Sequence, residues 1–191
     1  MFYLKTVLTF FLFFTTILIH PAKGIDKKNE NIQRSRGVVQ ELHKSFFNEL
    51  SAAIKEGGIE KAIDVCHKAA QKITDSFKTD KQSIRRVSLQ VRNPKNKPDL
   101  YEKEKLKQMV ADHKRGELKN EYYEIVEKDG VKYFRYLSPI LIKPPCLSCH
   151  GKKERLSPSI VKVLEVKYPE DKAFGYSNGD PRGAFSVIIK Q

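Results

Sequence analysis

The sequence predicts an α+β domain with helices first and antiparallel strands after them. Two runs of apolar residues at spacings of three and four precede Asp80. Downstream, two runs rich in β-branched and aromatic residues flank Lys128-Asp129-Gly130, and a further strand-like run closes the chain.

The first helical stripe is Val39, Leu42, Phe46, Leu50 and Ile54, and it stops at Gly57-Gly58. The second runs through Ile59, Ile63, Cys66, Ala70, Ile73 and Phe77, which puts Cys66 on the buried side of its helix. Ile84 to Val91 alternates like a strand and is cut off by Asn93-Pro94-Lys95-Asn96-Lys97-Pro98. Asp99 with Glu102 three places on forms a capping box for a third helix reaching Gly116; its many charges predict a surface position. Glu121 to Glu127 and Val131 to Leu137 form a hairpin about the Asp-Gly turn. Ile160 to Tyr168 reads as a strand or short helix, and Gly183 to Ile189 as the last strand after a turn region from Gly175 to Pro181. The expected packing sets the helices on one side of the sheet.

Ahead of this domain, Lys5 is followed by an apolar run from Thr6 to Ile19 and then by His20-Pro21-Ala22-Lys23-Gly24. That order is the order of a secretory signal peptide, with cleavage expected after Gly24. The run is shorter than the roughly 20 residues a spanning helix needs. An uncleaved anchor from Phe2 to Ile19 is the other reading, and it alone would tether the domain to a membrane. No cysteine for lipidation follows the run. The expected organisation is a signal peptide over 1–24, a polar linker over 25–36 and one domain over 37–191, placed in the periplasm or otherwise exported.

The chain carries 36 Lys and Arg against 23 Asp and Glu, a formal net charge of +13. Removing the leader takes away only Lys5 and Lys23, so the exported part stays strongly basic. These charges are scattered, with no dense cluster and no nucleic-acid-binding module, so a solvated surface is expected and a nucleic-acid partner is not.

The chemistry concentrates in Cys146-Leu147-Ser148-Cys149-His150, the haem-attachment pattern C-x-x-C-H. Two thiols add to the vinyl groups of one porphyrin edge, and the adjacent His150 is brought under the iron as proximal ligand. Pro144-Pro145 stiffen the approach, and Gly151 lets the chain turn away. One haem c, covalently attached, is the cofactor expected. The competing readings are a disulfide or thioredoxin-like pair, and a zinc site joining Cys146, Cys149 and His150 with His67 or Cys66. The first lacks its usual βαβ setting, and the second lacks the spacing of a common zinc module.

Cys66 is left over, and its residue pattern supports two readings: a buried thiol acting as a small hydrophobe, or the sixth iron ligand. His67, Met109, His113 and His43 are the other candidates for that position. Arg85, Arg86 and Arg92 have the forked guanidinium groups suited to haem propionates, with Arg85 and Arg92 taken as the candidates.

Several stretches together resemble a bacterial family of single-haem domains of PAS-like fold. They are Ala62-Ile63-Asp64-Val65-Cys66, Ile84-Arg85-Arg86-Val87-Ser88-Leu89 with Arg92-Asn93-Pro94 and Pro98-Asp99, Tyr136-Leu137-Ser138-Pro139-Ile140 leading into the cysteine motif and Gly151, and Gly175-Tyr176, Gly179-Asp180 and Arg182-Gly183-Ala184. The resemblance implies a central antiparallel sheet with N-terminal helices packed against it. It also implies a haem held by histidine and cysteine, with His150 proximal and Cys66 distal. Family members occur alone and as exported sensory parts of receptors; with no transmembrane or kinase-like region after Gln191, direct signalling is not expected here.

The function expected is an exported mono-haem cytochrome acting in redox or gas sensing or in single-electron transfer, without turnover of a substrate. Its partner would be a redox protein or a diatomic gas. A small haem peroxidase is the enzymatic alternative, and it would require an open iron position and a distal acid–base group.

Overall fold

The computed structural model describes residues 23–191, so the apolar leader lies outside the described residues. Helix α1 (Lys23–Asp75) is interrupted at Gly57 and Gly58, where the backbone leaves helical angles; Gly58 has φ 73°, a region that favours glycine. The two stripes expected on either side of Gly57-Gly58 are therefore two helical limbs joined by a kink.

The stretch 25–36 is not a linker: it lies within the first limb of α1, with Asn31, Ile32 and Ser35 buried. Polar composition did not prevent docking, because one narrow stripe suffices. Ile32 and Ser35 continue, at helical spacing, the side that carries Val39 and Leu42. Polar contacts hold the limb in register. Asn31 Nδ2 donates to Gln191 Oε1 at 3.1 Å, Arg34 Nε to Gln82 Oε1 at 2.7 Å, and Arg36 forks onto Glu121 at 2.6 and 2.8 Å.

Strands β1 (Gln82–Val87), β2 (Tyr122–Lys128), β3 (Val131–Leu141) and β4 (Pro181–Lys190) form one antiparallel sheet in the order β1-β4-β3-β2. The β2–β3 turn places Asp129 at φ 52° and Gly130 at φ 73°, the left-handed pair that a tight hairpin turn requires. Alternation along the strands divides the side chains between two faces. Ile84, Phe134, Tyr136, Phe185, Val187 and Ile189 pack with Ile32 and Leu42 of α1. Val87, Tyr122, Leu137 and Ala184 pack with Leu106 and Met109 of α2 (Leu100–Lys114).

Helices thus cover both faces of the sheet rather than one. The charges of α2 occupy its outer sides, while Glu102, Leu106, Met109 and Asp112 form a buried row. Its capping box is complete: Asp99 accepts from the Glu102 amide at 2.7 Å, and Glu102 accepts from the Asp99 amide at 2.8 Å. The Glu102 carboxylate is fully buried, 3.8 Å from Arg85 and 3.6 Å from Arg135. The stretch 160–168 is helical, lying largely within α4 (Pro158–Lys167), which opens with proline in its first turn. Ile160, Leu164 and Tyr168 pack with Ile63 of the second α1 limb, partly buried Cys149 beside them.

Hydrogen bonding from Arg36 holds the Glu121 carboxyl below its ordinary range, against the opposing effect of burial. A carboxyl depressed on folding contributes stability above its unfolded pKa and loses it as pH falls through the folded value. Urea unfolding should therefore show Glu121→Gln less stable than wild type at neutral pH. The two should converge once the medium is acidic enough to protonate Glu121 in the folded wild type.

Candidate functional site

The cysteine motif is built by two tight turns. Pro144-Pro145 open a 3₁₀ turn (Pro144–Cys146), which runs directly into the short helix α3 (Leu147–His150). Gly151 ends it with its amide bonded to the Leu147 carbonyl at 3.0 Å, and a Cβ at Gly151 would lie 2.6 Å from that oxygen. A side chain there would force the turn apart. The chain after α4 then closes over the motif: Gly175 N donates to Gly151 O at 2.9 Å and Tyr176 N to His150 O at 3.1 Å.

This return segment decides the state of the histidine. His150 Nδ1 lies 2.9 Å from the Ala173 carbonyl oxygen. A carbonyl can only accept, so the proton sits on Nδ1 and the Nε2 lone pair is free for a metal. Burial lowers the His150 pKa well below the ordinary value, and the charges of Arg182 and Arg92 lower it further, so the ring is a neutral donor.

All three cysteines are free thiols. Burial pushes Cys149 up to about 11; Arg92 opposes this, while Cys66, Cys146 and Asp171 add to it. Cys66 is also raised by burial, and Arg86 and Arg92 oppose the rise. The second α1 limb has therefore brought Cys66 into the electrostatic field of Cys149, although 83 positions separate them in the chain. Cys146, Cys149 and His150 lie on one turn beside Arg92, with Cys66 and Arg86 within electrostatic reach, and the donor set of two thiols and a bare imidazole nitrogen on that turn fits a covalently held porphyrin.

The arginines need one correction. Arg85 does not approach the thiols: it shares the α2 face with Val87, and its guanidinium binds the Lys97 carbonyl and lies near Glu102. The neighbour on the α1 face, Arg86, is the residue beside Cys66, with its guanidinium 4.6 Å from the Phe46 ring centroid. Arg92 is at the site but heavily engaged. Its Nε donates to Asp171 at 2.6 Å and one terminal nitrogen donates to the Cys149 carbonyl at 2.6 Å. Arg182, which no local pattern marks as a site residue, lies over Tyr176 at 5.4 Å and adds positive charge near His150.

The remaining sixth-ligand candidates are dispersed. Met109 is core on the α2 face, and His113 lies 3.6 Å from Asp180. His43 packs between Phe47 and Phe185, and His67 meets Tyr168 edge-on at 5.1 Å. Among the described residues no three His, Cys, Asp or Glu groups gather as a zinc site needs. A cleft of about 520 Å³ is lined by Leu147, Ser148 and Gly151 rather than by the cysteines or His150. A second, of about 690 Å³, lies between α2 and the start of β4.

No curated protein matches this chain. Among solved structures, it is similar to the crystal structure of the cyanobacterial heme-protein Tll0287, with a TM-score of 0.60 and 22% identity over 85% of this chain and 96% of that one. The likeness places the α+β architecture within a known fold. The Tll0287-like family model matches residues 22–190, nearly the whole described chain, in agreement with the resemblance carried by the cysteine motif and its flanking segments. The chain belongs to the Tll0287-like family.

Proposed function

We propose that this chain is an exported c-type cytochrome with one haem c, bound through Cys146 and Cys149, with His150 as proximal and Cys66 as distal ligand. The observation that carries the reading is the His150–Ala173 hydrogen bond, which presents a neutral imidazole with Nε2 bare on the same turn as two free thiols. The heme protein Tll0287, with the same fold, supports the choice of cofactor. The apolar leader supports export, to the periplasm or beyond.

The bound group would supply one-electron exchange between ferric and ferrous iron. The residues of this chain do the rest. His150 is held in one tautomer by Ala173, so its donor nitrogen needs no reorganisation. Cys66 is supplied by a helical limb bounded by the Gly57-Gly58 kink, and Arg86 and Arg92 favour its thiolate form against burial. A thiolate ligand favoured only by neighbouring positive charge can be released when it is protonated, which suits a redox or gas sensor. We assign no substrate turnover to this site.

Exposed Lys143, Lys152, Lys153 and Arg155 flank the motif. That observation favours a second reading, an electron carrier docking an acidic partner. One pair of experiments separates the two. For a sensor, the reduced protein should bind carbon monoxide or nitric oxide with a changed absorption spectrum; an unchanged spectrum would sink the gas-sensing version. For a carrier, electron-transfer rates to an acidic partner should fall as salt is added, and salt-independent rates would exclude steering by these cations.

A further inference from the structure

The His150–Ala173 hydrogen bond is only as well placed as the return segment that carries Ala173, and a buried ion pair fixes that segment. Asp171 uses both oxygens: Oδ1 accepts from the Ala173 amide at 2.8 Å, and Oδ2 accepts from Arg92 Nε at 2.6 Å. Arg92 is shared in the same way. One terminal nitrogen donates to the Cys149 carbonyl at 2.6 Å and reaches the Ala173 carbonyl at 3.4 Å. The backbone on either side is also joined, Lys172 N donating to Val91 O at 3.0 Å.

Both partners are withdrawn from water, with side chains 9% and 4% exposed. The Arg92 guanidinium lies 5.2 Å from the Phe174 ring centroid and 6.0 Å from that of Tyr168. At this depth the geometry of the pair is enforced, because separating the charges would leave each buried without a partner.

We propose that Arg92 and Asp171 are positioning residues for the His150 ring. The pair fixes the Ala173 peptide relative to the Cys149 carbonyl, and so sets both the tautomer and the orientation of the imidazole between them. This assignment explains why Arg92 is not simply a free propionate anchor: its Nε is spent on Asp171 and one terminal nitrogen on the Cys149 and Ala173 carbonyls. It rests on the reading of His150 as the proximal ligand.

The test uses the protein as purified after export, in wild type, Asp171→Asn, Arg92→Lys and, as control, Asp112→Asn. Asp112 is another buried carboxylate, bonded to Tyr122 at 2.7 Å on the far face of the sheet. In Asp171→Asn the new side-chain amide can still accept from the Ala173 N–H but turns a donor toward Arg92. In Arg92→Lys the ammonium cannot fork. Where the wild type carries haem, a loosened Nδ1–H···O bond makes the imidazole a weaker donor, which disfavours ferric iron. The reduction potential should then rise in Asp171→Asn and Arg92→Lys, with haem content retained, and stay at the wild-type value in Asp112→Asn. Potentials in the two site variants no different from that of Asp112→Asn would overturn the proposal.

Where the wild type carries no haem, the haem reading itself has failed, and the same samples still decide the positioning role by ¹⁵N spectroscopy of His150. Wild type should show the proton on Nδ1 alone, and Asp171→Asn a mixture of tautomers. An unchanged tautomer in Asp171→Asn would overturn it.

Discussion

Cys146→Ala combined with Cys149→Ala is expected to abolish covalent haem attachment: the purified variant should lose the mass of one haem and all visible absorption that survives unfolding. In a c-type attachment each thiol would make one thioether, so a single substitution would leave one bond and the pair none. The effect on covalent attachment is all or none because only coordination by His150 and Cys66 could then hold the group. The loss should not be a loss of fold. Cys149 contributes one partly buried side chain to the small cluster around Ile63, Ile160, Leu164 and Tyr168, and Cys146 lies in none of the buried clusters. Removing them should cost about 1 kcal/mol of packing, well within ordinary domain stability. Far-ultraviolet circular dichroism of the double variant checks this, and an unfolded chain would mean that haem loss and fold loss had not been separated.

Cys66→Ala is expected to keep its covalent haem and to lose thiolate character from the oxidised spectrum. The reduction potential should rise, since a neutral or absent sixth ligand no longer stabilises ferric iron. The variant should also bind small exogenous ligands in the oxidised state, where the wild type does not. Arg86 would be left without the Cys66 charge it faces, while Arg92 keeps its ion pair with Asp171. An oxidised spectrum identical to wild type would make Cys66 a core thiol. His67 on the same limb would then be the first alternative to substitute, because the structure puts Met109 and His113 on the α2 side of the sheet.

The parts of the site that are contiguous in the chain are legible from the sequence. Cys146, Cys149 and His150 occupy one turn, and their spacing alone brings two thiols and an imidazole together. The capping box of α2 and the Asp129-Gly130 hairpin are legible for the same reason, being chemistry within four residues. Which face of β1 meets α1 is not. Alternation pairs Ile84 with Arg86 and separates both from Arg85, but only the packing of α1 shows that the Arg86 side faces Cys66.

The orienting group of His150 is beyond reach for a different reason. Ala173 acts through its carbonyl, and no side chain records that role. Arg92 and Asp171 are 79 positions apart, and without a fold nothing connects them. The 25–36 stretch reads as a linker because its apolar stripe is thin: among the described side chains there Ile32 is the buried apolar one, and further anchoring comes from Asn31, Arg34 and Arg36 through polar contacts with residues far along the chain.

Covalent haem attachment is tested most directly by the intact mass of the exported wild-type protein, measured after unfolding, alongside its visible spectrum. A covalently attached haem c should increase that mass by one haem, with the haem remaining on the chain when the fold is gone. A mass equal to the bare polypeptide, with colour absent or lost on unfolding, would contradict it.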